Sequence, residues 1–525
     1  MPKVLIADEL SPQAVAIFQQ RGVTTDVKVG LSKEDLLKAI GDYDGLAVRS
    51  ATKVTDKVIA AAEKLKVIGR AGIGVDNIDV KAATAKGIIV MNTPFGNSIT
   101  TAEHAITLML ALARQIPMAD RSTQAGKWEK SRFLGVEITG KTLGVIGCGN
   151  IGSIVADRAV GLRMKAVAYD PFLTPERARK LGVEKVELDE LLARADFITL
   201  HTPLTDKTRN ILDAAAIAKT RKGVRIINCA RGGLVDEAAL KAALESGHVA
   251  GAALDVFTEE PAKSNPLFGM NDIVCTPHLG ASTVEAQENV AVQVAEQMAD
   301  YLISGAISNA INFPAISAEE APRLRPYVKL ASQLGSFCGQ LTHSDLQEVR
   351  IDYAGESADL NTRALTAAAL AGVLGHVLEG ANMVSAPVIA KERGIAIMES
   401  SRAQQGAYGS YVRVSVRSRD GERSVAGAVF SDGRPRIIQL DGINLEGELG
   451  ANMLYTQNAD KPGYIGALGT LLGNAGVNIA SFSLGRNEPG GQAIALCHVD
   501  DPVSDQVLAE VRKLPHVVQV ERLRF

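Results

Sequence analysis

The architecture of this chain follows from one segment, Lys141-Thr142-Leu143-Gly144-Val145-Ile146-Gly147-Cys148-Gly149-Asn150-Ile151-Gly152. An apolar run enters the pattern G-x-G-x-x-G, and a helical pattern leaves it at residues 153–163. A second apolar run, residues 165–169, ends at Asp170. Because a strand, a glycine-rich turn, a helix, a second strand and a terminal acid occur in this order, the segment predicts a dinucleotide-binding site.

Each glycine of the pattern has its own physical task. Gly147 permits the tight turn, Gly149 leaves room for a pyrophosphate, and Gly152 lets the helix pack close to the strand. The helix N-terminus then faces the phosphates. Asp170, eighteen residues after Gly152, is placed to accept hydrogen bonds from a ribose diol and to repel a 2′-phosphate, which favours NAD over NADP. The alternative is a tight strand–helix turn that binds no ligand.

Length and composition restrict the class of protein. The chain has 525 residues, too many for one core, so roughly three or four domains are expected. Its formal net charge is −3 and it has no long basic run, which argues against a nucleic-acid partner. The longest apolar runs, such as residues 106–113, are too short to span a bilayer, so no membrane association is expected.

The N-terminus and the cysteines favour a cytoplasmic protein. Residues 1–8 predict a first strand and lack the apolar core and cleavage site of a signal peptide. The five cysteines are scattered and contain no C-x-x-C pair, which is typical of reduced thiols. No Cys/His cluster has metal-ligand spacing, so no metal is expected.

Two strand–helix alternations predict two parallel sheets covered by helices. In the first, the predicted strands are residues 3–8, 26–29, 45–49, 66–70 and 88–92, and the predicted helices are 11–20, 33–40 and 55–65. The glycine pattern begins the second, whose further strands are predicted at 197–201, 224–228, 251–254 and 273–275.

Long helices bracket the second alternation. Each is predicted to begin at a capping box, Thr100-x-x-Glu103 for the first and Ser282-x-x-Glu285 for the second. The chain therefore leaves the first sheet near residue 100 and returns near residue 285, as expected for one domain inserted in another.

The C-terminal third has a different character. Residues 309–326 are rich in Pro, Ala and Glu and predict a linker. Residues 327–449 combine helices (327–339 and 364–371) with strands such as 411–417 and 425–430, and Asp420-Gly421 predicts a turn. Residues 451–525 follow the order strand, helix, strand, strand, helix, strand, which is that of a ferredoxin-like domain.

Three separated residues could perform hydride-transfer chemistry. Arg231, Glu260 and His278 each follow a predicted strand, at the sheet edge where the dinucleotide is expected. His278 can take a hydroxyl proton, a carboxylate beside it favours the imidazolium, and a guanidinium can bind a substrate carboxylate. The set is that of a 2-hydroxy-acid dehydrogenase, while a structural His278 and a solvated Glu260 are the alternatives.

Several segments resemble the D-2-hydroxyacid dehydrogenase family: the glycine pattern, residues 254–261 and residues 276–283. Residues 48–54 and 68–77 resemble its D-3-phosphoglycerate dehydrogenase branch, in the long form with an intervening domain and a C-terminal ACT domain. The resemblance implies four domains: a discontinuous substrate-binding domain (1–98 and 286–314), an NAD-binding Rossmann domain (99–285), an α+β intervening domain (318–449) and a βαββαβ ACT domain (451–525). The fold class implied is α/β, with two doubly wound parallel-sheet domains, one inserted in the other.

The resemblance also implies roles for the candidate site residues. His278 is implied as the acid/base, Glu260 as its partner and Arg231 as the carboxylate-binding cation. The other substrate-binding residues implied are Arg49, Arg70 and the backbone at Gly72, with Lys130 and Arg132 reaching the phosphate in a neighbouring subunit. The implied NAD contacts are Gly147, Gly149, Asn150, Ile151, Gly152, Asp170, Thr202, Pro203, Cys229, Asp255, Gly280 and Ala281. Asn150 departs from the pattern, because many relatives carry Arg there.

The implied activity is NAD-dependent oxidation of D-3-phosphoglycerate to 3-phosphohydroxypyruvate, the first step of L-serine biosynthesis. ACT domains bind amino acids between paired copies, so L-serine is implied as an allosteric effector at Asn458, Asp460 and Asn478, in a homo-oligomer expected to be a tetramer. The alternative for Asp460 is a helix N-cap, and for Asn478 a turn residue.

Three rival activities remain open on the sequence. One is a dehydrogenase for another 2-oxo acid, such as 2-oxoglutarate or glyoxylate, against which Arg49 and Arg70 argue. Formate dehydrogenases need no Glu beside the His, so Glu260 argues against that chemistry. An NAD-sensing interaction protein with this fold is the third, and the ACT-like tail argues against it.

Overall fold

The computed structural model describes residues 1–343, 345–376, 378, 381–403, 408–419 and 421–525, so that Asp420 of the predicted turn lies outside the described residues. The chain divides into two compact units. The first unit comprises Met1–Arg70, Gly74–Asn92 and Val294–Phe525, and the second unit comprises Ala71–Ile73 and Thr93–Gln293. Within the described residues, no helix combines the length and the apolar character needed to cross a membrane.

A five-stranded parallel sheet begins the first unit, with strand order β2-β1-β3-β4-β5. Its strands are β1 (Lys3–Ile6), β2 (Thr24–Val27), β3 (Gly45–Val48), β4 (Val67–Arg70) and β5 (Ile89–Asn92). Its helices are α1 (Pro12–Gln20), α2 (Lys33–Ala39), α3 (Asp56–Ala61) and α4 (Val80–Lys86), with a 3-10 turn at Ile40–Asp42. This order is one of the two common doubly wound arrangements, so the predicted parallel sheet is confirmed.

Two details of this sheet differ from the prediction. Strand β2 lies two residues earlier than expected because its register pairs Thr24 with Lys3 of β1. Helix α4 was not predicted, although its end signals are present in the sequence: the Asp79 side chain accepts a hydrogen bond from Ala82 N (2.9 Å), and Gly87 ends the helix at φ +80°. The helix is only 7 residues long, too short to show a clear apolar period.

A seven-stranded parallel sheet forms the second unit, in the order β12-β11-β10-β9-β6-β7-β8. Its strands are β6 (Thr142–Ile146), β7 (Lys165–Tyr169), β8 (Glu184–Lys185), β9 (Phe197–Leu200), β10 (Val224–Asn228), β11 (Val249–Leu254) and β12 (Ile273–Cys275). The helices are α5 (Ser98–Ala113), α6 (Ile116–Gln124), α7 (Asn150–Gly161), α8 (Pro175–Lys180), α9 (Leu188–Arg194), α10 (Ala214–Ala218), α11 (Glu237–Glu245) and α12 (Val284–Ser304), of which residues from Val294 onward belong to the first unit.

The two faces of this sheet bury separate apolar cores. One face packs on α5 and α7, through residues such as Leu108, Met109 and Val155. The other packs on α9, α10 and α11, through residues such as Leu191 and Leu240. A sheet buried on both faces places its ligand site at the carboxyl ends of its strands, where the strand order reverses between β6 and β9.

Both predicted capping boxes were wrong. Helix α5 begins at Ser98, so Thr100 lies inside its first turn and the N-cap position is Asn97. Helix α12 begins at Val284, and the side chain that accepts from Ala286 N is that of Thr283 (3.2 Å). The hydroxyl groups of Thr100 and Thr283 lie 3.3 Å apart. Thr100, which was predicted to cap α5, therefore makes a tertiary contact instead.

A mixed six-stranded sheet follows in the first unit, in the order β14-β13-β15-β16-β17-β18. Its strands are β13 (Leu346–Ala354), β14 (Ala396–Arg402), β15 (Tyr411–Ser418), β16 (Gly421–Val429), β17 (Pro435–Leu440) and β18 (Ile443–Gly447). Its helices are α13 (Glu320–Gln340), α14 (Glu356–Asp359), α15 (Thr362–Leu374) and α16 (Ala386–Glu392).

The predicted linker overlaps the start of α13. Residues 320–326 were expected to belong to the linker, but they form the first turns of this helix, and Pro326 lies inside it. Burial explains the difference, because Leu324 is 2% exposed and Tyr327 is 5% exposed. An apolar side chain that packs into a core outweighs the local preference of a proline for irregular structure.

A four-stranded antiparallel sheet completes the first unit, in the order β20-β21-β19-β22. Its elements are β19 (Asn452–Ala459), α17 (Tyr464–Asn474), β20 (Ile479–Arg486), β21 (Gln492–Val499), α18 (Asp505–Arg512) and β22 (Val517–Arg524). The order along the chain and across the sheet is ferredoxin-like, as predicted. Its core is formed by residues such as Leu454, Leu468 and Leu472.

Candidate active site

Residues 147–152, the glycine turn, connect β6 to α7 with little space to spare. Gly147 has φ +91°, and a Cβ on it would lie 2.7 Å from the carbonyl oxygen of His201. A Cβ on Gly152 would lie 2.0 Å from the carbonyl oxygen of Gly147. The position of a Cβ on Gly149, by contrast, is open to 4 Å. The first and third glycines are therefore required by the protein itself, and the second leaves space beside the N-terminus of α7.

The carboxylate of Asp170 is held beside the glycine turn. It follows β7, and its Oδ2 accepts from the backbone N–H of Cys148 (2.8 Å). Its Oδ1 accepts from the backbone N–H of Phe172 (2.8 Å). Each oxygen keeps a further lone pair, so the group is oriented and can still accept from two ribose hydroxyls.

Two buried polar atoms near the glycine turn lack a hydrogen-bond partner. They are Nδ1 of His201 and Oγ1 of Thr202, at the carboxyl end of β9. Burial lowers the pKa of His201 to about 4, so its imidazole is neutral, and Nε2 lies 2.8 Å from Oγ1 of Thr199. Unsatisfied buried groups are rare in folded proteins. Together with the open space at Gly149 and the fixed Asp170, they fit a polar ligand such as NAD at this edge.

The remaining predicted NAD residues line the same edge of the sheet. Asn150 and Ile151 form the first turn of α7, and Pro203 is exposed just beyond β9. Cys229 directly follows β10 and is 5% exposed, and its burial raises the pKa of its thiol. Ala281 is half-buried, beyond the last strand of the sheet. The side chain of Asp255 is 0% exposed, so it can act on a ligand only through the residues that it holds.

His278 and Glu260 form a hydrogen-bonded pair. Nδ1 of His278 lies 2.7 Å from Oε2 of Glu260, and the other carboxylate oxygen accepts from Phe257 N (3.0 Å). The His278 side chain is 50% exposed, which leaves its Nε2 edge for a substrate. The geometry is that of a general base whose ring is oriented by a carboxylate.

The charges of this pair reinforce each other. The hydrogen bond to Glu260 raises the pKa of His278, against burial and the charge of Arg231, which lower it. Burial acts to raise the pKa of Glu260, but the hydrogen bonds from His278 and Phe257 N outweigh it and the pKa falls. The imidazolium formed when His278 takes a proton is therefore stabilised by the neighbouring carboxylate.

Arg231 lies on the loop that follows β10. The Asn228 side chain donates to the carbonyl oxygen of Arg231 (2.9 Å) and so fixes the loop. A Cβ on Gly232 would lie 1.8 Å from the carbonyl oxygen of Phe257. Only glycine at this position lets the loop after β10 pack against the loop that carries Glu260, which is how Arg231 comes within electrostatic range of His278.

The candidate phosphate-binding residues of the first unit occupy the carboxyl edge of its parallel sheet. Arg49 follows β3, its N–H donates to Oδ2 of the buried Asp8 (2.6 Å), and its carbonyl oxygen accepts from the Asn77 side chain (2.7 Å). Arg70 is the last residue of β4, where it is in register with Val48. The two arginines thus end neighbouring strands of one sheet.

The other predicted substrate residues lie in the second unit. The N–H of Gly72 donates to Oγ1 of Thr93 (2.7 Å), so this N–H is already used within the protein. Lys130 and Arg132 are exposed beyond α6, and Arg132 pairs with Glu129 (3.1 Å). Gly72, Lys130 and Arg132 are not part of the hydrogen-bonded pair of His278 and Glu260.

The three predicted effector residues lie at separate places in the ferredoxin-like domain. Asn458 is 2% exposed, and its buried Oδ1 has no hydrogen-bond partner. Asp460 accepts from Arg486 (2.7 Å) and from Gly490 N (2.9 Å), and these two bonds lower its pKa. The N-cap alternative for Asp460 was wrong, because α17 is preceded by Gly463 at φ +98°. Asn478 is exposed before β20.

Sequence reasoning named Asp255 only as an NAD contact and missed the residues that it binds within the protein. Asp255 accepts from Thr276 Oγ1 (2.5 Å), Leu279 N (2.7 Å) and Gly280 N (2.8 Å), and His104 Nε2 lies 3.2 Å from it. The hydroxyl of Thr101 donates to the carbonyl oxygen of Gly280 (2.9 Å). The sequence showed that Thr101 and His104 share a helix, but only the tertiary fold brings that helix to the loop after β12.

Comparisons with protein families agree with this geometry. The NAD-binding domain of the D-isomer specific 2-hydroxyacid dehydrogenases matches residues 106–280. The D-3-phosphoglycerate dehydrogenase intervening domain matches residues 323–441, and the ACT domain matches residues 453–516. The class defined by the fold and the site is therefore that of the D-isomer-specific 2-hydroxyacid dehydrogenases, which bind NAD.

Full-length relatives define the family more closely. The D-3-phosphoglycerate dehydrogenase of Synechocystis sp. is 45% identical over 516 residues, which are 98% of this chain and 93% of that protein. The D-3-phosphoglycerate dehydrogenase of Methanocaldococcus jannaschii is 45% identical over 522 residues, 99% of each chain. The chain belongs to the D-3-phosphoglycerate dehydrogenase family.

Among solved structures, the fold of a shorter enzyme is also similar. The crystal structure of a glyoxylate reductase from Paecilomyes thermophila is 31% identical, with a TM-score of 0.55, and covers 59% of this chain and 98% of that chain.

Proposed function

We propose that the protein oxidises D-3-phosphoglycerate to 3-phosphohydroxypyruvate with NAD, the first step of L-serine biosynthesis. The observation that carries the proposal is the 2.7 Å pair of His278 and Glu260, in a chain whose full-length relatives are D-3-phosphoglycerate dehydrogenases. The assignment combines the chemistry that the pair can perform with the substrate of those relatives.

NAD, held along the glycine turn and by Asp170, supplies the hydride acceptor. His278 Nε2 takes the proton of the substrate hydroxyl, and Glu260 stabilises the resulting imidazolium. Arg231 donates hydrogen bonds to the substrate carboxylate and to the C2 oxygen, where it favours the developing carbonyl. The substrate leaves as a 2-oxo acid, and the proton held by His278 passes to solvent.

The two negative groups of D-3-phosphoglycerate need more than one cation. We assign Arg49 and Arg70 to the phosphate or the distal carboxylate oxygen, since a fixed guanidinium binds such groups through two parallel hydrogen bonds. The fixed backbone of Arg49, bonded to Asp8 and Asn77, limits the entropy lost when its side chain binds an anion. Lys130 and Arg132 are assigned to the phosphate at a neighbouring subunit's site.

The direct test is NADH formation from D-3-phosphoglycerate and NAD, with a trap for the keto product. Two single variants, Arg49→Met and Arg70→Met, are compared with the wild type in the same assay. Each replacement keeps an unbranched apolar stem but removes the charge, so KM for D-3-phosphoglycerate should rise much more than KM for NAD. Equal effects on both constants would contradict the assignment of these arginines to the substrate.

A second candidate function is reduction of a 2-oxo acid whose tail carries no charge. The similarity to a glyoxylate reductase over 59% of the chain favours testing it. Glyoxylate offers no second anion to Arg49 and Arg70, so the two arginine variants should leave its reduction nearly unchanged. Loss of glyoxylate reduction in both variants would assign the arginines to the fold.

The ferredoxin-like domain is proposed to bind L-serine as an allosteric effector, between paired copies in a homotetramer. The buried, unpartnered Oδ1 of Asn458 supports a polar ligand near that strand. Asp460 would accept from the serine ammonium in place of Arg486, and Asn478 would donate to its carboxylate. The domain boundaries assigned with this proposal are 1–98 with 286–314, 99–285, 318–449 and 451–525.

Calorimetric titration with L-serine tests the effector proposal, and light scattering tests the tetramer. The expected result is heat with L-serine that is lost in Asp460→Ala but kept in Asp505→Ala, a control at the exposed start of α18. A sample that binds NADH normally but gives no heat with L-serine would contradict it.

Five free cysteines, four of them buried, fit a reducing compartment, and we place the reaction in the cytoplasm.

A further inference from the structure

Asp255 is a fully buried carboxylate at the centre of the candidate site. It is 0% exposed at the end of β11. Burial acts to raise its pKa, but hydrogen bonds from His104, Thr276 and Leu279 outweigh this effect, so its pKa is lowered and the group is ionised. A buried carboxylate is costly unless donors or a positive charge compensate it.

The residues that Asp255 holds surround His278. We call residues 276–280 the histidine loop. The N–H of His278 donates to the carbonyl oxygen of Asp255 (2.9 Å), and the N–H groups of Leu279 and Gly280 donate to its carboxylate (2.7 and 2.8 Å). Three consecutive N–H groups are therefore fixed by one residue.

The backbone of His278 needs such support. Its φ is +56°, in the left-handed region, which costs energy for a residue with a Cβ. A conformation of this kind persists only where the surrounding structure imposes it. The hydrogen bonds to Asp255 supply that constraint, and they set the direction in which the imidazole leaves the backbone.

Side chains of helix α5 make hydrogen bonds to Asp255 and to the histidine loop. Nε2 of His104 lies 3.2 Å from Oδ1 of Asp255 and 3.3 Å from Oγ1 of Thr276. One helical turn earlier, the hydroxyl of Thr101 donates to the carbonyl oxygen of Gly280 (2.9 Å). The His104 side chain is 17% exposed.

We propose that His104 is a positioning residue for hydride transfer: its Nε2–H holds the Asp255 carboxylate, which fixes the histidine loop and thereby aims His278 at the substrate. The polar partners of the His104 ring are Asp255 and Thr276, and Asp255 is the one that holds the backbone of the histidine loop, so the effect of His104 on His278 passes through Asp255. The inference rests on the proposed function for its kinetic part only, because the hydrogen bonding of the loop can be measured without turnover.

The experiment compares three variants of the full-length protein. His104→Leu removes the donor at similar volume, and His104→Gln keeps an N–H donor near the Nε2 position. His248→Leu is the matched control, because His248 also bonds a threonine hydroxyl (Thr220, 3.0 Å) but lies in the turn between α11 and β11 of the same unit. If the leucine variant does not fold, His104→Asn replaces it, since its amide reaches only the Nδ1 position.

Two readouts separate positioning from general damage. Hydrogen–deuterium exchange of the peptide spanning residues 276–284 should be faster in His104→Leu and like wild type in His104→Gln and His248→Leu. The rate constant kcat per NADH-binding site should fall roughly 10- to 100-fold in His104→Leu, with KM for NAD nearly unchanged, and recover most of its value in His104→Gln.

Each contrary result has a definite meaning. Wild-type exchange and wild-type kcat in His104→Leu would show that His104 holds nothing at this site. Equal loss in His104→Leu and His104→Gln would rule out the N–H donor as the cause. A wild-type protein that does not oxidise D-3-phosphoglycerate would contradict the proposed function, while the exchange comparison would still decide the role of His104.

Discussion

His278 combines an ionisable ring with a left-handed backbone, and the two features depend on different neighbours. Glu260 sets its charge and ring orientation through a 2.7 Å hydrogen bond. Asp255 sets its backbone through the N–H groups of the histidine loop. Separate supports for the charge and the position of one group imply that each can be removed without the other.

Replacement of His278 by Ala should lower kcat by roughly 10²- to 10⁴-fold, the usual contribution of a general base. Its ring is 50% exposed and carries no part of a core, so the protein should remain folded. NADH affinity, measured by fluorescence titration, should stay within about twofold of wild type. Loss of NADH binding together with kcat would mean that His278 is structural.

The pH dependence of oxidation reports the His278–Glu260 pair. Oxidation needs neutral His278, so kcat/KM should rise as pH increases through the pKa of His278, which Glu260 raises above its usual value. Glu260→Gln removes the charge and the strongest hydrogen bond, so the rising limb should move to lower pH. The plateau rate should also fall, because the ring loses its orientation.

The control for that profile is Glu259→Gln, an exposed neighbour on the same loop. It should leave the rising limb in place. An unchanged limb in Glu260→Gln would show that another group controls the pH dependence.

The preference for NAD is expected to depend on Asp170. Asp170→Asn keeps the size of the side chain but removes its charge and one acceptor oxygen. Hydrogen bonds to charged groups contribute about 1.5–3 kcal/mol, so kcat/KM for NAD should fall by roughly tenfold or more, while that for NADP should fall less or rise. An unchanged ratio of the two constants would contradict the role assigned to Asp170.

At the scale of elements, two glycines of the glycine turn have different purposes: Gly152 is needed for the packing of α7, and Gly149 for ligand binding. Gly152→Ala would place a Cβ 2.0 Å from a backbone oxygen, so α7 must move away from β6. The free energy of unfolding should fall by roughly 1–3 kcal/mol, and NADH binding should be lost. The Cβ of Gly149→Ala meets nothing within 4 Å.

The matched variant Gly149→Ala should therefore unfold at the wild-type temperature but bind NADH more weakly. Thermal unfolding and fluorescence titration measure the two effects on the same samples. Equal destabilisation by both substitutions would contradict the view that only Gly149 is reserved for the pyrophosphate.

The elements that the sequence predicted best are those whose pattern is local. The strands 165–169, 224–228 and 273–275 have the predicted bounds, because each consists mainly of apolar residues in a sheet buried on both faces. Helix α4, which has 7 residues, was not predicted, and both capping boxes were assigned to the wrong residue. Near the capping boxes, Thr100 makes a tertiary contact with Thr283 that the local sequence does not encode.

At the scale of the whole molecule, the order of strands explains why the site could be predicted at all. Arg231, Glu260 and His278 are far apart along the chain, but each follows a strand of one parallel sheet, and those strands all end at the same edge. The support of the site could not be predicted in this way. The link from His104 to Asp255 joins a helix to a strand 151 residues later (255 − 104), and no local pattern encodes such a contact.

NADH formation by the wild type and by His278→Ala decides whether the protein catalyses the proposed reaction. Wild-type protein and His278→Ala are incubated with D-3-phosphoglycerate, NAD and a trap for the keto product, and the absorbance of NADH is followed. The predicted result is NADH formation by the wild type that is nearly abolished in His278→Ala. No NADH from D-3-phosphoglycerate, in a sample that oxidises NADH with glyoxylate, would contradict the proposed substrate.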